Sequence, residues 1–222
     1  MKQWDQIFKT EGKVFNEIQE NMPVVLSKLE TSKAQKVLDL GCGSGRHTVY
    51  LAEKGFEVFG FDIAHAGMEI AEKWLKENAL KADFQIGSIY KRLPYKDDFF
   101  DAIISTQTIN HGLISDIRLC IQEIERVLKP GGLIFVTVRK RNTRNWSKGK
   151  IIEKYGNQKV NYRVVAPRTY VPTEGGEKDL PHFLFNKEII KKEFNHFKIK
   201  QIWSDVKNQH YCFIGYLKSN RR

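Results

Sequence analysis

The sequence predicts an α/β fold in which a mostly parallel seven-stranded sheet lies between two layers of helices. Two observations predict it. Short apolar or β-branched runs alternate with helical patterns from residue 36 onward, and glycine or polar residues follow the first strands at their carboxyl ends. This alternation is typical of a parallel sheet with helices on both faces. The 222 residues, 41% of them hydrophobic, suffice for one such domain with one core.

The order of the elements follows from periodicity and from capping and turn residues. Residues 3–30 predict one or two helices, with Pro23 breaking or restarting them. The predicted strands are 36–40, 56–61, 83–86, 99–105, 133–138, 197–203 and 211–217, the last of them antiparallel. The later helices are predicted at 45–54, 65–78, 115–128 and 186–194. Ser115 and Asn186 are the predicted caps of the last two, and Pro130-Gly131-Gly132 stops the former.

Residues 139–182 interrupt this alternation. They are basic and contain β-prone segments at 159–165 and 169–171, followed by turn residues at 173–176. We interpret them as an insertion over the sheet edge that forms a lid on the active site. Residues 1–34 are interpreted as an N-terminal helical cap, so that 1–222 form a single domain.

The composition argues against several classes of protein. The three cysteines are far apart and form neither a metal-binding pair nor a disulfide framework, so we expect a cytoplasmic protein without a metal. The N-terminus is amphipathic rather than continuously apolar, and no run of about 18 apolar residues exists. We therefore expect neither a secretory signal nor a membrane partner.

The positive charge is concentrated in the last part of the chain. Residues 139–222 carry 20 basic and 7 acidic side chains, whereas residues 1–138 carry 17 and 19. Such an asymmetry is typical of a protein that binds an anionic partner such as RNA, but also of a solvated lysine-rich surface. Composition alone leaves both interpretations open.

The strongest local signal is the segment 37–45, with the sequence V-L-D-L-G-C-G-S-G. Its glycines permit positive φ and close approach of a ligand, and the helix that follows directs backbone amides toward it. A dinucleotide fingerprint requires a third glycine at position 46, which is Arg46, and no P-loop Gly-Lys pair is present. Asp39 can accept hydrogen bonds from an ammonium group or from the loop amides, or serve simply as a strand-end acid.

Three further segments follow in order: F-G-F-D at 59–62, L-P-Y…D-F-F-D-A-I-I-S at 93–105, and I-E-R-V-L-K-P-G-G at 124–132. Together with the glycine segment they resemble the motifs of the class I S-adenosylmethionine (SAM) dependent methyltransferases over residues 36–138. The D-L-G-C-G-S-G segment resembles motif I of the small single-domain members. The resemblance implies the Rossmann-like methyltransferase fold, SAM as methyl donor, and S-adenosylhomocysteine as product.

The resemblance also implies which residues hold the cofactor. Asp62 is expected to bind both ribose hydroxyls, and Ser105 and Thr106 to line the methionine part. Ser88 departs from the pattern, because many relatives have at this place an acid that contacts the adenine amino group, and an uncharged hydroxyl accepts more weakly. The predicted cofactor-binding residues are Asp39, Gly41, Cys42, Gly43, Gly45, Asp62, Ile63, Gly87, Ser88, Ile89, Ser105 and Thr106.

The acceptor side is predicted after the fourth strand and in the insertion. Asn110 and His111 are the predicted catalytic residues, with His111 as a base or, alternatively, as a packing residue. Arg168, Tyr170 and His182 are predicted to form part of the lid on the acceptor pocket. Trp4 and Phe8, on one face of the first helix, are either core or substrate contacts.

The sequence therefore predicts a monomeric or homodimeric enzyme that methylates a small molecule by in-line displacement. The alternatives are an RNA (tRNA) methyltransferase that uses the basic C-terminal part for phosphate contacts, and a SAM-binding regulatory domain without transfer activity. A radical SAM enzyme is disfavoured, because no cysteine triad is present to hold an iron–sulfur cluster.

Overall fold

A computed structural model of the chain describes residues 2–141, 153–155 and 158–219. The helices are α1 (Lys2–Glu11), α2 (Met22–Thr31), α3 (Arg46–Glu53), α4 (His65–Glu77), α5 (Ile114–Val127) and α6 (Lys187–Glu193). The first strands are β1 (Lys36–Leu40), β2 (Glu57–Asp62), β3 (Asp83–Ile86), β4 (Phe100–Thr106) and β5 (Leu128–Arg139). They are followed by β6 (Glu153–Tyr155), β7 (Gln158–Val160), β8 (Tyr162–Ala166), β9 (Thr169–Pro172), β10 (His182–Phe183), β11 (Phe197–Ser204) and β12 (His210–Leu217).

The main sheet has seven strands in the order β11-β12-β5-β4-β1-β2-β3. Strands β1 to β5 pair in parallel, and β12 is antiparallel to both of its neighbours, β5 and β11. The predicted fold class, including the antiparallel last strand, is confirmed. The order reverses between β1 and β4, and such a switch point opens a crevice at the carboxyl ends of the strands.

Each face of the sheet is covered by helices, because side chains alternate along every strand. On one face Leu38, Ile103 and Phe213 pack in one core cluster with the buried sides of α5 and α6. On the other face their neighbours Val37, Ala102 and Cys212 pack with residues of α2 and α3. Residues 133–138 of β5 are all buried, as expected for a strand that is covered on both sides.

Two helix starts differ in how far they follow the prediction. The side chain of Asn186 accepts a hydrogen bond from the Ile189 amide at 2.8 Å, which confirms it as the cap of α6. The predicted cap Ser115 is wrong, because α5 begins at Ile114. Its first turn is closed by Asp116, whose carboxylate accepts from the Leu113 amide at 3.0 Å.

The N-terminal region forms two helices with a break between them. Helix α1 ends before Gly12, whose φ of 66° is the left-handed conformation in which helices commonly terminate. Pro23 lies in the first turn of α2, where its missing amide costs nothing, so that it restarts the helix. No helix among the described residues is long and apolar enough to cross a bilayer.

The insertion contributes two small antiparallel sheets, β6-β7 and β10-β9-β8. The second of these contacts the main sheet near the end of β4: the Phe183 amide donates to the Asn110 carbonyl at 2.8 Å, and Phe185 pairs with Arg139 and Lys140. Residues 142–152 and 156–157 of the predicted insertion lie outside the described residues. The insertion is thereby held at the carboxyl edge of the sheet, where the switch point lies.

Candidate functional site

A cavity of about 690 Å³ opens at the carboxyl ends of β1, β2 and β4. Its volume is that of an ordinary small-molecule site. Twelve of the predicted site residues line it: Gly41, Cys42, Gly43, Asp62, Ile63, Gly87, Ser88, Ile89, Thr106, Asn110, His111 and His182. The others, Asp39, Gly45, Ser105, Arg168 and Tyr170, lie outside its lining.

The glycine segment follows β1 as a turn that side chains would obstruct. Gly41 has φ of 83°, and a Cβ there would lie 2.2 Å from Cγ2 of Thr108. Gly45 also has positive φ, but its close neighbour is Ala71 of α4, at 2.5 Å from a Cβ. Gly41 is therefore required beside the cavity, and Gly45 is required for the packing of α3 against α4.

Asp62 ends β2 and lies in the cavity beside the glycine turn. Its Oδ2 accepts from the Gly43 amide at 2.9 Å and its Oδ1 from the Ala64 amide at 2.8 Å. Burial raises the pKa of this carboxyl, although the two amides act in the opposite direction. Because a carboxylate oxygen accepts more than one hydrogen bond, both oxygens retain capacity for a vicinal diol, and Asp62 fits the ribose of SAM.

Asp39 and Ser105 make internal contacts instead of lining the cavity. Asp39 is buried and accepts from Oγ1 of Thr48 at 2.7 Å, and burial raises its pKa to about 6. The Ser105 hydroxyl donates to the Leu40 carbonyl at 2.8 Å. These two side chains join β1 to α3 and to β4, respectively.

His47 links the N-terminal region to the end of β4. Its Nε2 accepts from the Gln19 amide at 3.1 Å, so the proton resides on Nδ1, which lies 3.2 Å from Oγ1 of Thr106. The ring is buried, and burial lowers its pKa well below the ordinary value. His47 therefore lines the cavity beside Thr106 as a neutral side chain.

The opposite half of the cavity is built around His111 and His182. Their ring centroids are 4.7 Å apart, and Trp4 of α1 lies edge-on to His111 at 5.3 Å. Burial lowers the pKa of His111 to about 4, and that of His182 falls well below its ordinary value for the same reason. Both imidazoles are thus neutral at neutral pH.

Asn110 joins three elements beside these histidines. Its Oδ1 accepts from the Arg139 amide at 3.1 Å, and its carbonyl accepts from Phe183. Asn110 therefore fixes the ends of β4 and β5 relative to β10, which carries His182.

The remaining lid residues of the prediction support the cavity from outside. Tyr170 is buried and stacks on His182, with centroids 4.9 Å apart and an interplanar angle of 9°. The Arg168 Nε donates to the Leu184 carbonyl at 2.6 Å. Of the three predicted residues, His182 alone reaches the cavity.

Several lining residues were left open or missed by the sequence analysis. Trp4 and Phe8 both line the cavity, and Phe8 also belongs to a small core cluster against which Trp4 packs; their contact with a substrate stays a prediction. Glu177, Arg139 and Tyr90 line the cavity without any preceding motif. The aromatic face of α1 is the sequence signal that indicates Trp4 and Phe8. Glu177, Arg139 and Tyr90 reach the cavity only through the tertiary fold.

Known methyltransferases are similar in sequence to a large part of this chain. A family model described as a methyltransferase domain matches residues 31–199. Among curated proteins, the ubiquinone biosynthesis O-methyltransferase of Idiomarina loihiensis is 30% identical over 115 residues, which are 52% of this chain and 46% of that protein. An uncharacterized methyltransferase of Synechocystis sp. is 36% identical over 121 residues, 54% of each chain. The chain thus spans about half the length of the curated relatives it matches.

Solved structures agree with this chain over nearly its full length. A protein of Pyrococcus horikoshii is 22% identical with a TM-score of 0.68, covering 96% of this chain and 99% of that one. A SAM-dependent methyltransferase of Clostridium acetobutylicum is 15% identical with a TM-score of 0.72, covering 97% and 99%. The CcbJ methyltransferase of Streptomyces caelestis is 15% identical with a TM-score of 0.74, covering 98% of both chains. At these identities the likeness shows a shared fold.

Proposed function

The chain belongs to the methyltransferase domain family, and from this premise we propose that it is a class I SAM-dependent enzyme that methylates a small molecule bound in the cavity. The observation that carries the proposal is that one cavity is lined by both groups of predicted residues. Asp62 and the glycine turn line the half that we assign to the cofactor, and His111 and His182 line the half that we assign to the acceptor. The curated relatives named for ubiquinone biosynthesis are consistent with a small-molecule acceptor.

In the cofactor half, Asp62 would accept the ribose hydroxyls while the turn around Gly41 and Gly43 lies against the rest of SAM. Ser88 and Ile89 would contact the adenine, with Ser88 as the uncharged acceptor. Thr106 would lie toward the methionine part. Asp39, Gly45 and Ser105, which lie outside the lining, would shape this half through the elements they join.

The acceptor half supplies position and a neutral, partly apolar surface. The acceptor's lone pair forms a bond to the methyl carbon while the carbon–sulfur bond breaks and its electron pair stays on sulfur. An acceptor proton, where one is present, leaves to water or to a nearby group. The main requirement is an approach of about 3–3.5 Å in line with the breaking bond. Asn110 contributes as a positioning residue, because it fixes the ends of β4 and β5 and the lid strand β10.

The cofactor assignment is tested by Asp62→Ala. Loss of two hydrogen bonds to a carboxylate, each worth about 1.5–3 kcal/mol, should raise the Kd for SAM by about 100-fold or more. Asp83→Ala is the matched control, because Asp83 is exposed at the start of β3 and outside the cavity. Isothermal titration with SAM measures both variants. Equal affinities in the two would contradict the assignment.

The acceptor class is tested with labelled SAM and cell extract divided into metabolite, RNA and protein fractions. We expect label in the metabolite fraction, with transfer that changes little between 50 and 200 mM salt. The basic C-terminal part motivates RNA as the second candidate, and binding through several phosphates would weaken steeply over that range. Label confined to RNA would overturn the small-molecule proposal, and SAM binding without any transfer would favour a regulatory domain.

A further inference from the structure

Three potential ligand groups converge in the acceptor half of the cavity. Nδ1 or Nε2 of His111 and of His182 and a carboxylate oxygen of Glu177 lie within 4.8 Å of one another. His111 follows β4, whereas Glu177 and His182 come from the insertion. Both histidines are more than nine-tenths buried, and Glu177 is part-exposed.

The hydrogen bonds of His111 determine which of its nitrogens faces the cluster. Its Nε2 lies 2.9 Å from the Gln107 carbonyl, which can only accept, so Nε2 carries the proton. Nδ1 therefore holds a lone pair, and it is buried without a hydrogen-bond partner. A histidine whose second nitrogen donates to a backbone carbonyl is the usual arrangement of a metal ligand.

His182 offers a second buried nitrogen. Its Nε2 is buried without a hydrogen-bond partner and lies 3.6 Å from Oε2 of Glu177. That distance is too long for an N–H···O hydrogen bond. It is close to the separation of about 3.3–3.4 Å between two ligands that are each about 2.0–2.1 Å from a tetrahedral ion.

We propose that His111 Nδ1, His182 Nε2 and the Glu177 carboxylate bind a divalent cation of the zinc class, with a fourth position open toward the cavity. Two neutral imidazoles and one carboxylate are a donor set of catalytic zinc sites. The three ligand atoms lie within 4.8 Å of one another, and two ligands of one such ion are at most roughly 4.2 Å apart, so small side-chain movements suffice to bring all three to a common ion.

The charges around the cluster are consistent with one bound cation. Arg139 lines the same cavity and repels a cation, whereas the Glu177 carboxylate attracts it. The proposed ion therefore depends on Glu177 for charge as well as for a ligand.

The open position gives the ion a role that rests on the proposed function. It lies in the half of the cavity assigned to the acceptor, where a cation would hold an acceptor oxygen, nitrogen or sulfur and lower the pKa of its proton. The acceptor would then reach the methyl carbon with its lone pair exposed and its proton lost to water. Ion binding itself does not depend on the transfer reaction.

The test measures metal content and affinity in the full chain. The purified protein is treated with chelator, dialysed and titrated with Zn²⁺, and the visible absorption of Co²⁺ reports an ordered nitrogen–oxygen site. We expect one ion per chain. Because altering groups that merely support a metal ligand costs 10–100-fold in affinity, Glu177→Gln should weaken binding by about 100-fold or more. His182→Ala should do the same.

The matched control is His65→Ala, since His65 is exposed on α4, pairs with Glu69 and lies outside the lining of the cavity. This variant should bind the ion as the unaltered chain does. Circular dichroism confirms that Glu177→Gln, which changes no volume, is folded. Failure of the unaltered chain to bind Zn²⁺ and Co²⁺, or equal affinity of Glu177→Gln and His65→Ala, would overturn the inference. Transfer by a metal-free chain would overturn the ion's role and leave the proposed function intact.

Discussion

Asp39→Asn is expected to stabilise the cofactor-free protein at neutral and alkaline pH. Burial raises the pKa of Asp39 from the ordinary 3.8 to about 6, despite the hydrogen bond from Thr48. The folded state therefore binds this proton more tightly than the unfolded state, so stability falls as the pH rises from about 4 to about 6, and the cost is complete above that range. At about 1.4 kcal/mol per tenfold change in proton affinity, the charged carboxylate costs about 3 kcal/mol.

An uncharged amide avoids this cost while keeping one oxygen that accepts from Thr48. After about 1 kcal/mol is subtracted for imperfect hydrogen bonding, Asp39→Asn should raise the free energy of unfolding by about 1–2 kcal/mol at pH 8. The assay is urea unfolding at pH 8, 6 and 4, with the gain vanishing at pH 4.

Asp101→Asn provides the control of opposite sign. Burial raises the pKa of Asp101, but Lys129 and the amides of Lys36 and Gln35 together lower it. This variant should therefore be destabilised at neutral pH, with a loss that shrinks as the pH falls through the acid range where Asp101 takes up its proton. The reasoning is refuted if Asp39→Asn changes stability equally at all three pH values or lowers it at pH 8.

Two further pairs of variants test packing and charge. Gly41 and Gly55 share a φ near 84°, so replacing either by alanine costs about 1–2 kcal/mol of backbone strain. Only at Gly41 would the new Cβ also collide with Thr108, so Gly41→Ala should lose more stability than Gly55→Ala in urea unfolding. Equal losses would contradict the contact argument. Arg126→Ala breaks contacts with two carboxylates and two carbonyls and should cost about 2 kcal/mol of stability. Arg118→Ala removes one exposed ion pair, which is worth under about 1 kcal/mol. Similar losses in thermal unfolding would show that the contacts of Arg126 contribute nothing beyond an ordinary surface pair.

The fold was predictable because its signals are local. The strand at 83–86 was predicted with its observed bounds, and β5 was identified by a run of apolar and β-branched residues, which is typical of a strand covered on both faces. The cap of α5 was missed for a physical reason. A serine before an apolar run usually accepts from the helix amides. Here Asp116 closes the first turn instead, by accepting from the amide of Leu113, the residue just before the helix.

The cofactor half of the site was accessible to the same reasoning, since a strand, a glycine turn and a strand-end acid lie within 26 residues of sequence, from 37 to 62. The acceptor half was accessible only in part, through Asn110, His111 and His182. Trp4, His111, Arg139 and Glu177 meet there from four separate segments, and no local pattern predicts that meeting.

The prediction of His111 as a general base illustrates why local motifs are a weaker guide to the acceptor half than to the cofactor half. With a pKa of about 4, its imidazole is a poor proton acceptor at neutral pH, because effective bases have a pKa near the working pH. The same burial keeps the lone pair of Nδ1 unprotonated. An acceptor in this cavity must therefore react through a lone pair that is already available at neutral pH, or lose its proton with help from a group other than His111. The proposed cation would promote this loss of the acceptor's proton, and no buried side chain would have to become positively charged.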